Sequence, residues 1–151
     1  MARQCTSRWL TDGSVETPKI IRVVAAALYD SQGRILIAER PAGKHMAGRW
    51  EFPGGKVASG ESDAVALARE LEEELGVTVT ESRQLMTLHH DYPDRSVELS
   101  LWIVERYTGV PQSLDQQRLK WVEPARLTDE DILEADQPFI EALQGLPQRF
   151  G

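Results

Sequence analysis

Three glutamates, Glu70, Glu73 and Glu74, stand at i, i+3 and i+4 in a segment that reads as a helix. On a helical wheel at about 100° per residue they occupy one arc, and Glu72 falls off it. Ala64, Leu67, Ala68, Leu71 and Leu75 fill the neighbouring arc, which is the face expected to pack on a sheet. Like charges at these spacings destabilise an isolated helix by roughly 0.2–0.5 kcal/mol per pair, and no lysine is interspersed to relieve them. A hard divalent cation does relieve them. Mg²⁺ takes oxygen ligands, keeps several waters and commonly bridges one or two carboxylates to substrate phosphates. Standing alone, such a stripe reads first as an acidic surface helix.

It does not stand alone. Upstream lies Gly54-Gly55, a pair that lets backbone come close to a ligand or metal. From there the chain gives Gly55, Glu61, Arg69-Glu70-Leu71, Glu73-Glu74 and Gly76-Val77 at fixed spacing. Seven fixed residue types plus two aliphatic positions coincide by chance less than about once in 10⁸ starting points at average usage. The pattern resembles the Nudix box in full. The resemblance implies a loop–helix–loop element that binds Mg²⁺, with Mn²⁺ able to substitute, and directs water onto phosphorus. By motif position Glu70, Glu73, Glu74 and the Gly54 carbonyl are the metal ligands, and Glu70 or a later glutamate assists deprotonation of the water. Arg69 is expected to orient a glutamate by a charge-assisted pair, and Glu61 to be a structural partner or an outer-sphere ligand.

Outside the first residues, nearly the whole chain resembles the MutT branch of that family. The matching stretches are Glu39-Arg40, His45-Met46-Ala47, Glu51-Phe52-Pro53-Gly54-Gly55-Lys56, Tyr92-Pro93-Asp94-Arg95, Trp102-Ile103-Val104-Glu105-Arg106 and Ala135-Asp136-Gln137-Pro138. This similarity implies that Glu105, late in a long strand, completes the metal site. It also implies that Arg40, His45, Phe52, Arg95 and Asp136 meet the substrate, a small-molecule nucleoside triphosphate. Phe52 and Phe139 serve equally as walls for the base or as core, and His89-His90 reads as structural. Asp136 departs from the asparagine of the best-known bacterial enzymes that hydrolyse 8-oxo-dGTP. An ionised aspartate only accepts hydrogen bonds, so it must meet donors on the base or become protonated. The expected reaction is hydrolysis of an oxidised purine triphosphate such as 8-oxo-dGTP to monophosphate and pyrophosphate. The alternatives are a pyrophosphohydrolase preferring CTP or dCTP and a non-catalytic nucleotide-sensing module, which the intact glutamate set disfavours.

These residues need a scaffold. Ile20–Tyr29 and Arg34–Glu39 read as strands separated by an Asp30–Gly33 turn, the first apolar on both faces. Residues 40–49 read as a loop, followed by a short extended piece at Trp50–Phe52 that stops at Pro53-Gly54-Gly55. A helix is predicted over 61–75, with Ser59 or Gly60 near its start and Gly76 ending it. Extended segments follow at 77–79, 85–90, 97–107 and 118–122, then a short helix marked by Thr128 and Asp131 and a last helix over 137–143. The order predicts an α/β fold, a Nudix-type α/β/α sandwich with a mixed sheet between helices. Residues 1–19 read as a flexible N-terminal tail and 20–147 as the catalytic domain.

At 151 residues the chain suits one domain, and 41% hydrophobic with 27% charged residues is ordinary for a globular protein. A net charge of −7 disfavours a nucleic-acid polymer as partner, yet allows a polyanionic small molecule bridged by cations. One cysteine excludes an internal disulfide and a multi-cysteine metal site. No stretch is long enough to cross a bilayer, and the expectation is a cytoplasmic monomer or weak dimer without membrane contact.

Overall fold

The computed structural model describes residues 19–43 and 47–147. The expected tail, up to residue 18, and His45 lie outside these residues. The chain clusters into two units, one of Arg22–Leu88 with Leu99–Gly151 and the other of Met1–Ile21 with His89–Glu98.

In the larger unit, strand β1 (Lys19–Leu28, entered at Arg22) alternates between two hydrophobic cores. Ala25, Ala27 and Tyr29 join one cluster, and Val24, Ala26 and Leu28 join the other. A strand covered on both faces needs no polar face, which is why its sequence is a continuous apolar run. β2 (Ile35–Glu39) divides likewise, with Ile35 and Ile37 in the first cluster and Leu36 in the second. β3 (Trp50–Glu51) and β4 (Gly54–Lys56) lead to helix α1 (Asp63–Leu75). β5 (Thr78–Tyr92), β6 (Arg95–Thr108) and β7 (Leu119–Val122) follow, then α2 (Gln137–Gln144). The strands form a four-stranded sheet in the order β4-β1-β6-β5 and a three-stranded sheet in the order β3-β2-β7. Helix α1 contributes Ala66, Leu67, Leu71 and Leu75 to the second core, and α2 contributes Phe139, Ile140 and Leu143 to the first. This is the expected α/β sandwich with helices on both sides.

Local details differ from expectation. Helix α1 begins at Asp63 behind an N-cap at Ser62, whose hydroxyl accepts from the Val65 amide at 3.2 Å. The earlier start fails because Glu61 is engaged in a turn: its carboxylate accepts the Ala58 amide at 2.9 Å, and its own amide donates to the Ala58 carbonyl. Ala64 is exposed in the first turn, and Ala66 takes the buried place expected of it. Gly76 ends the helix at φ 73°, as predicted. Residues 54–56, read as a stop, form a strand antiparallel to β1, with Val24 opposite Gly55 and Ala25 opposite Gly54. The two extended pieces expected at 77–79 and 85–90 are parts of one strand of 15 residues, β5. The short helix expected at Thr128 and Asp131 lies earlier, as a 3₁₀ helix over Pro124–Asp129, started by Pro124 and pinned by buried Leu127.

In the smaller unit, the hairpin residues make local contacts. Asp91 accepts from Ser96 Oγ at 2.6 Å and lies 2.8 Å from His89 Nε2. The Arg95 guanidinium sits 5.1 Å from the centre of the Tyr92 ring, and the His90 and Tyr92 rings meet edge to face. His89 and His90 are thus held by their hairpin neighbours, in line with a structural role.

Candidate active site

The glycine pair is demanded by geometry. A Cβ on Gly54 would stand 1.9 Å from the Val24 carbonyl oxygen of β1. A Cβ on Gly55 would stand 2.3 Å from Cδ of Glu70. The first glycine lets β4 close on β1, and the second leaves room for a helix carboxylate against the backbone. The Gly54 amide also donates to Glu74. The bare strand and the glutamate stripe are therefore a single surface, which explains why the sequence needs both at a fixed separation.

Arg69 organises that surface. Its Nε and one terminal nitrogen grip Glu61 at 2.7 and 2.9 Å, a forked pair, and that nitrogen also reaches the Lys56 carbonyl at 3.1 Å. The other terminal nitrogen donates to Glu70 at 3.2 Å and Glu73 at 3.3 Å. This guanidinium pulls the Glu61 carboxyl down to about 2, and Glu61 raises the Arg69 pKa in return. Arg69 thus ties Glu61, Glu70 and Glu73 together, with the forked pair to Glu61 its shortest contact.

The remaining carboxylates behave in the opposite way. Burial pushes the Glu70 carboxyl up, against the pull of Arg69. Burial also pushes the Glu74 carboxyl up to about 8, and the charges of Glu70, Glu51 and Asp115 push it further in the same direction. Glu73 is more exposed and is turned toward Arg69. Among the described residues, no three acidic or histidine side chains already converge as a closed metal cage. The donor set is nevertheless all carboxylate oxygen, and the concentrated negative charge at Glu74 is what a hard divalent cation neutralises.

Two members of this set escaped sequence reasoning. Glu51 was part of a matching stretch with no role assigned, yet its charge raises both Glu74 and Asp136. It accepts from Arg40 Nη1 at 2.9 Å. Asp115 lies in the loop between β6 and β7, where nothing in the residue spacing ties it to a helix 41 positions earlier. Glu105, in contrast, is exposed and accepts from Arg83 Nε at 3.2 Å; it is not among the charges that raise Glu74.

A second polar point lies at Asp136, only 7% exposed. Burial pushes its carboxyl up to about 7, Glu51 adds to the rise, and the Phe52 amide and Arg40 oppose it. The segment before it hangs on β3: Trp50 donates to the Asp131 carbonyl at 2.8 Å, and Leu133 donates to the Trp50 carbonyl at 2.9 Å. Arg49 pairs with Asp131 at 2.8 Å and donates to the Ile132 carbonyl at 2.9 Å. Phe52 and Phe139 are both core residues, their rings edge to face at 6.4 Å. Of the two expected functions for Phe52, the side chain serves the core, and its backbone amide faces Asp136. Arg95 belongs to the smaller unit, stacked on Tyr92.

A bare glycine strand against a carboxylate helix braced by one arginine, with a buried aspartate on a separate support, offers the oxygen donors that metal-assisted phosphate chemistry calls for. Comparison with known proteins agrees. Residues 24–142 match the NUDIX domain family model. A CTP pyrophosphohydrolase of Escherichia coli (strain K12) is 39% identical over 85% of this chain and 94% of its own length. An 8-oxo-dGTP diphosphatase of the same strain is 34% identical over 85% of this chain and 99% of its own length. A solved structure from work on MutT of Aliivibrio salmonicida and Vibrio cholerae superposes with a TM-score of 0.74 at 38% identity, covering 83% of this chain and 98% of that one. The chain belongs to the Nudix family, as a hydrolase of its MutT-like branch. Nudix hydrolases generally use a divalent metal, and no helix among the described residues is long and apolar enough to cross a membrane.

Proposed function

We propose that this protein hydrolyses a nucleoside triphosphate to the monophosphate and pyrophosphate, with an oxidised purine such as 8-oxo-dGTP as the favoured substrate. The observation that carries the reading is the paired surface of Gly54-Gly55 and α1, where Glu70, held by Arg69, stands as an acidic neighbour of Glu74. Glu70, Glu73, Glu74 and the Gly54 carbonyl would hold Mg²⁺ or Mn²⁺, and Asp115 adds its charge beside Glu74. When bound, the metal lowers the pKa of water and neutralises phosphate oxyanions. The chain's own contribution is placement: Arg69 fixes the direction of Glu70 and Glu73, and the glycines let β4 close on β1 and seat the Glu70 carboxylate against the backbone. Glu105 is kept as a further ligand on family resemblance; its exposed pair with Arg83 on the neighbouring strand is weak enough for a divalent cation to displace. Arg40, His45 and Arg95 are assigned to the substrate on family resemblance. A cytoplasmic role in removing damaged nucleotides before DNA synthesis follows from this substrate.

Asp136 supports a second reading. With its carboxyl near 7 it accepts when ionised and also donates when protonated, which suits guanine-type N1–H and N2–H₂ donors or a cytosine amino group. The relative named for CTP is 39% identical, so a cytidine triphosphate preference is the specific rival. The test is a panel of 8-oxo-dGTP, dGTP, CTP and dCTP with Mg²⁺, scored by kcat/KM and by release of monophosphate and pyrophosphate. The highest value for 8-oxo-dGTP is the expected result. A higher value for CTP selects the rival, and no monophosphate from any of them overturns both.

A further inference from the structure

We infer that Arg49 is a positioning residue for base selection: its guanidinium fastens the segment 131–136 beside β3 and so sets where the buried Asp136 carboxylate stands. The inference rests on the reading of Asp136 as the group that meets the base. It adds to that reading a residue that none of the matching stretches contains.

Asp136 is not aimed by its own helix. It stands at the N-cap of α2, where an aspartate ordinarily accepts from an amide of the first helical turn. Here the side chain makes no such bond; it is buried and meets the Phe52 amide just past β3. Its direction therefore follows from the path of the backbone before it, a 3₁₀ turn over Glu134–Asp136. That path hangs on one isolated parallel bridge, between Trp50 and Ile132. The bridge uses the Asp131 carbonyl and the Leu133 amide, on either side of Ile132, and not the Ile132 carbonyl.

Arg49 supplies the missing donor. One terminal nitrogen donates to the Ile132 carbonyl at 2.9 Å. Ile132 is itself buried, and a buried carbonyl without a good donor is costly. Gln137 Nε2 also reaches that carbonyl, but at 3.4 Å, a much weaker bond. The carbonyl is thus a joint between Arg49 and the turn that carries Asp136. Arg49 Nε is shut off from solvent and lies 2.8 Å from the Asp131 carboxylate. Asp131 is well exposed, so that pair is screened, and the buried carbonyl bond carries the positioning. The base of the side chain is fixed too, because the Arg49 carbonyl accepts the Arg40 amide at 2.8 Å. A guanidinium suits the task because its planar fork addresses a carboxylate and a carbonyl at once.

The test measures dissociation constants for the monophosphates 8-oxo-dGMP and CMP by titration calorimetry in a chelator, which reads base selection apart from hydrolysis. A general loss of stability moves both constants alike, whereas a displaced Asp136 moves their ratio. Four proteins complete a cycle: wild type, Arg49→Met, Asp136→Ala and the double variant. Asp136→Ala is expected to bring the ratio toward one, and Arg49→Met to move it several-fold in the same direction. The double variant is expected to match Asp136→Ala. A ratio within about twofold of wild type in Arg49→Met overturns the inference, and so do single effects that multiply in full in the double variant. If Arg49→Met does not fold, Arg49→Gln carries the test. Its amide ends where the Arg49 Nε stands and falls short of the Ile132 carbonyl, so the ratio is expected to shift likewise, and a wild-type ratio overturns the inference. Asp136→Ala separates the two layers. An unchanged ratio there, or a wild-type protein that binds neither monophosphate, overturns the base-reading role beneath. A changed ratio there beside a wild-type ratio in Arg49→Met overturns only this inference.

Discussion

Removing the charge of Glu74 is predicted to stabilise the metal-free protein while abolishing its activity. In the fold this carboxyl is held near 8 by burial and by Glu70, Glu51 and Asp115, against an ordinary value of 4.5. An acid whose folded pKa is raised binds its proton more tightly when folded. Its ionisation therefore costs nothing below about pH 4.5, and the cost accumulates as pH rises toward 8. At about 1.36 kcal/mol per pKa unit the penalty is on the order of 3 kcal/mol at pH 7 and saturates above pH 8. Glu74→Gln keeps the acceptor for the Gly54 amide and removes the ionisation. The assay is urea unfolding of both proteins in a chelator from pH 5 to pH 8.5. The curves should nearly coincide at the acid end, and the variant should become more stable as pH rises. Saturating Mg²⁺ should erase the advantage, because it stabilises only the form that binds it. A stability difference that stays flat with pH would refute the reasoning, and so would one that favours wild type in chelator. Turnover by the variant should fall at least 100-fold, in proportion to a lost metal ligand.

Other outcomes follow from the same geometry. Gly55→Ala should push the Glu70 carboxylate from its place, costing about 10- to 100-fold in kcat with little change in melting temperature. Equal kcat to wild type in that variant sinks the close approach. Arg69→Ala should lose about 10- to 100-fold in activity and also melt earlier, since it releases Glu61, Glu70 and Glu73 together; activity and melting curves settle it. Because the Asp136 carboxyl titrates near 7, its donor is present below that pH and lost above it. The ratio of kcat/KM for 8-oxo-dGTP to that for CTP should therefore change between about pH 6 and 8 in wild type, and flatten in Asp136→Asn. An unvarying ratio in wild type contradicts a base-reading role.

The catalytic helix was legible because its determinants are local. The glutamate stripe, the leucines at helical spacing and Gly76 all act within a few turns, and their pattern survives in one dimension. The resemblance implied that Arg69 orients a glutamate and that Glu61 is a structural partner, and the structure joins the two in one pair. What escaped is non-local. Whether Glu51 acts on Glu74 and Asp136 depends on β3 lying beside β2, and Asp115 reaches Glu74 only through a loop that caps the helix. Glu105 was expected at the metal by family position alone, and its exposed carboxylate meets Arg83 of β5. The β4 strand escaped for another reason: Pro53 and two glycines carry the local signature of a turn, and only pairing with β1 makes them extended.

The alternation of β1 between two cores has a consequence for how such a protein changes over time. The helix bearing Glu70 and Glu74 rests on one core, and the segment leading to Asp136 is followed by α2, which rests on the other. A substitution beside Asp136 disturbs packing on its own side of the sheet first, and Glu51 is the residue whose charge reaches both sides. Such a partition lets new substrate preferences be explored one side at a time.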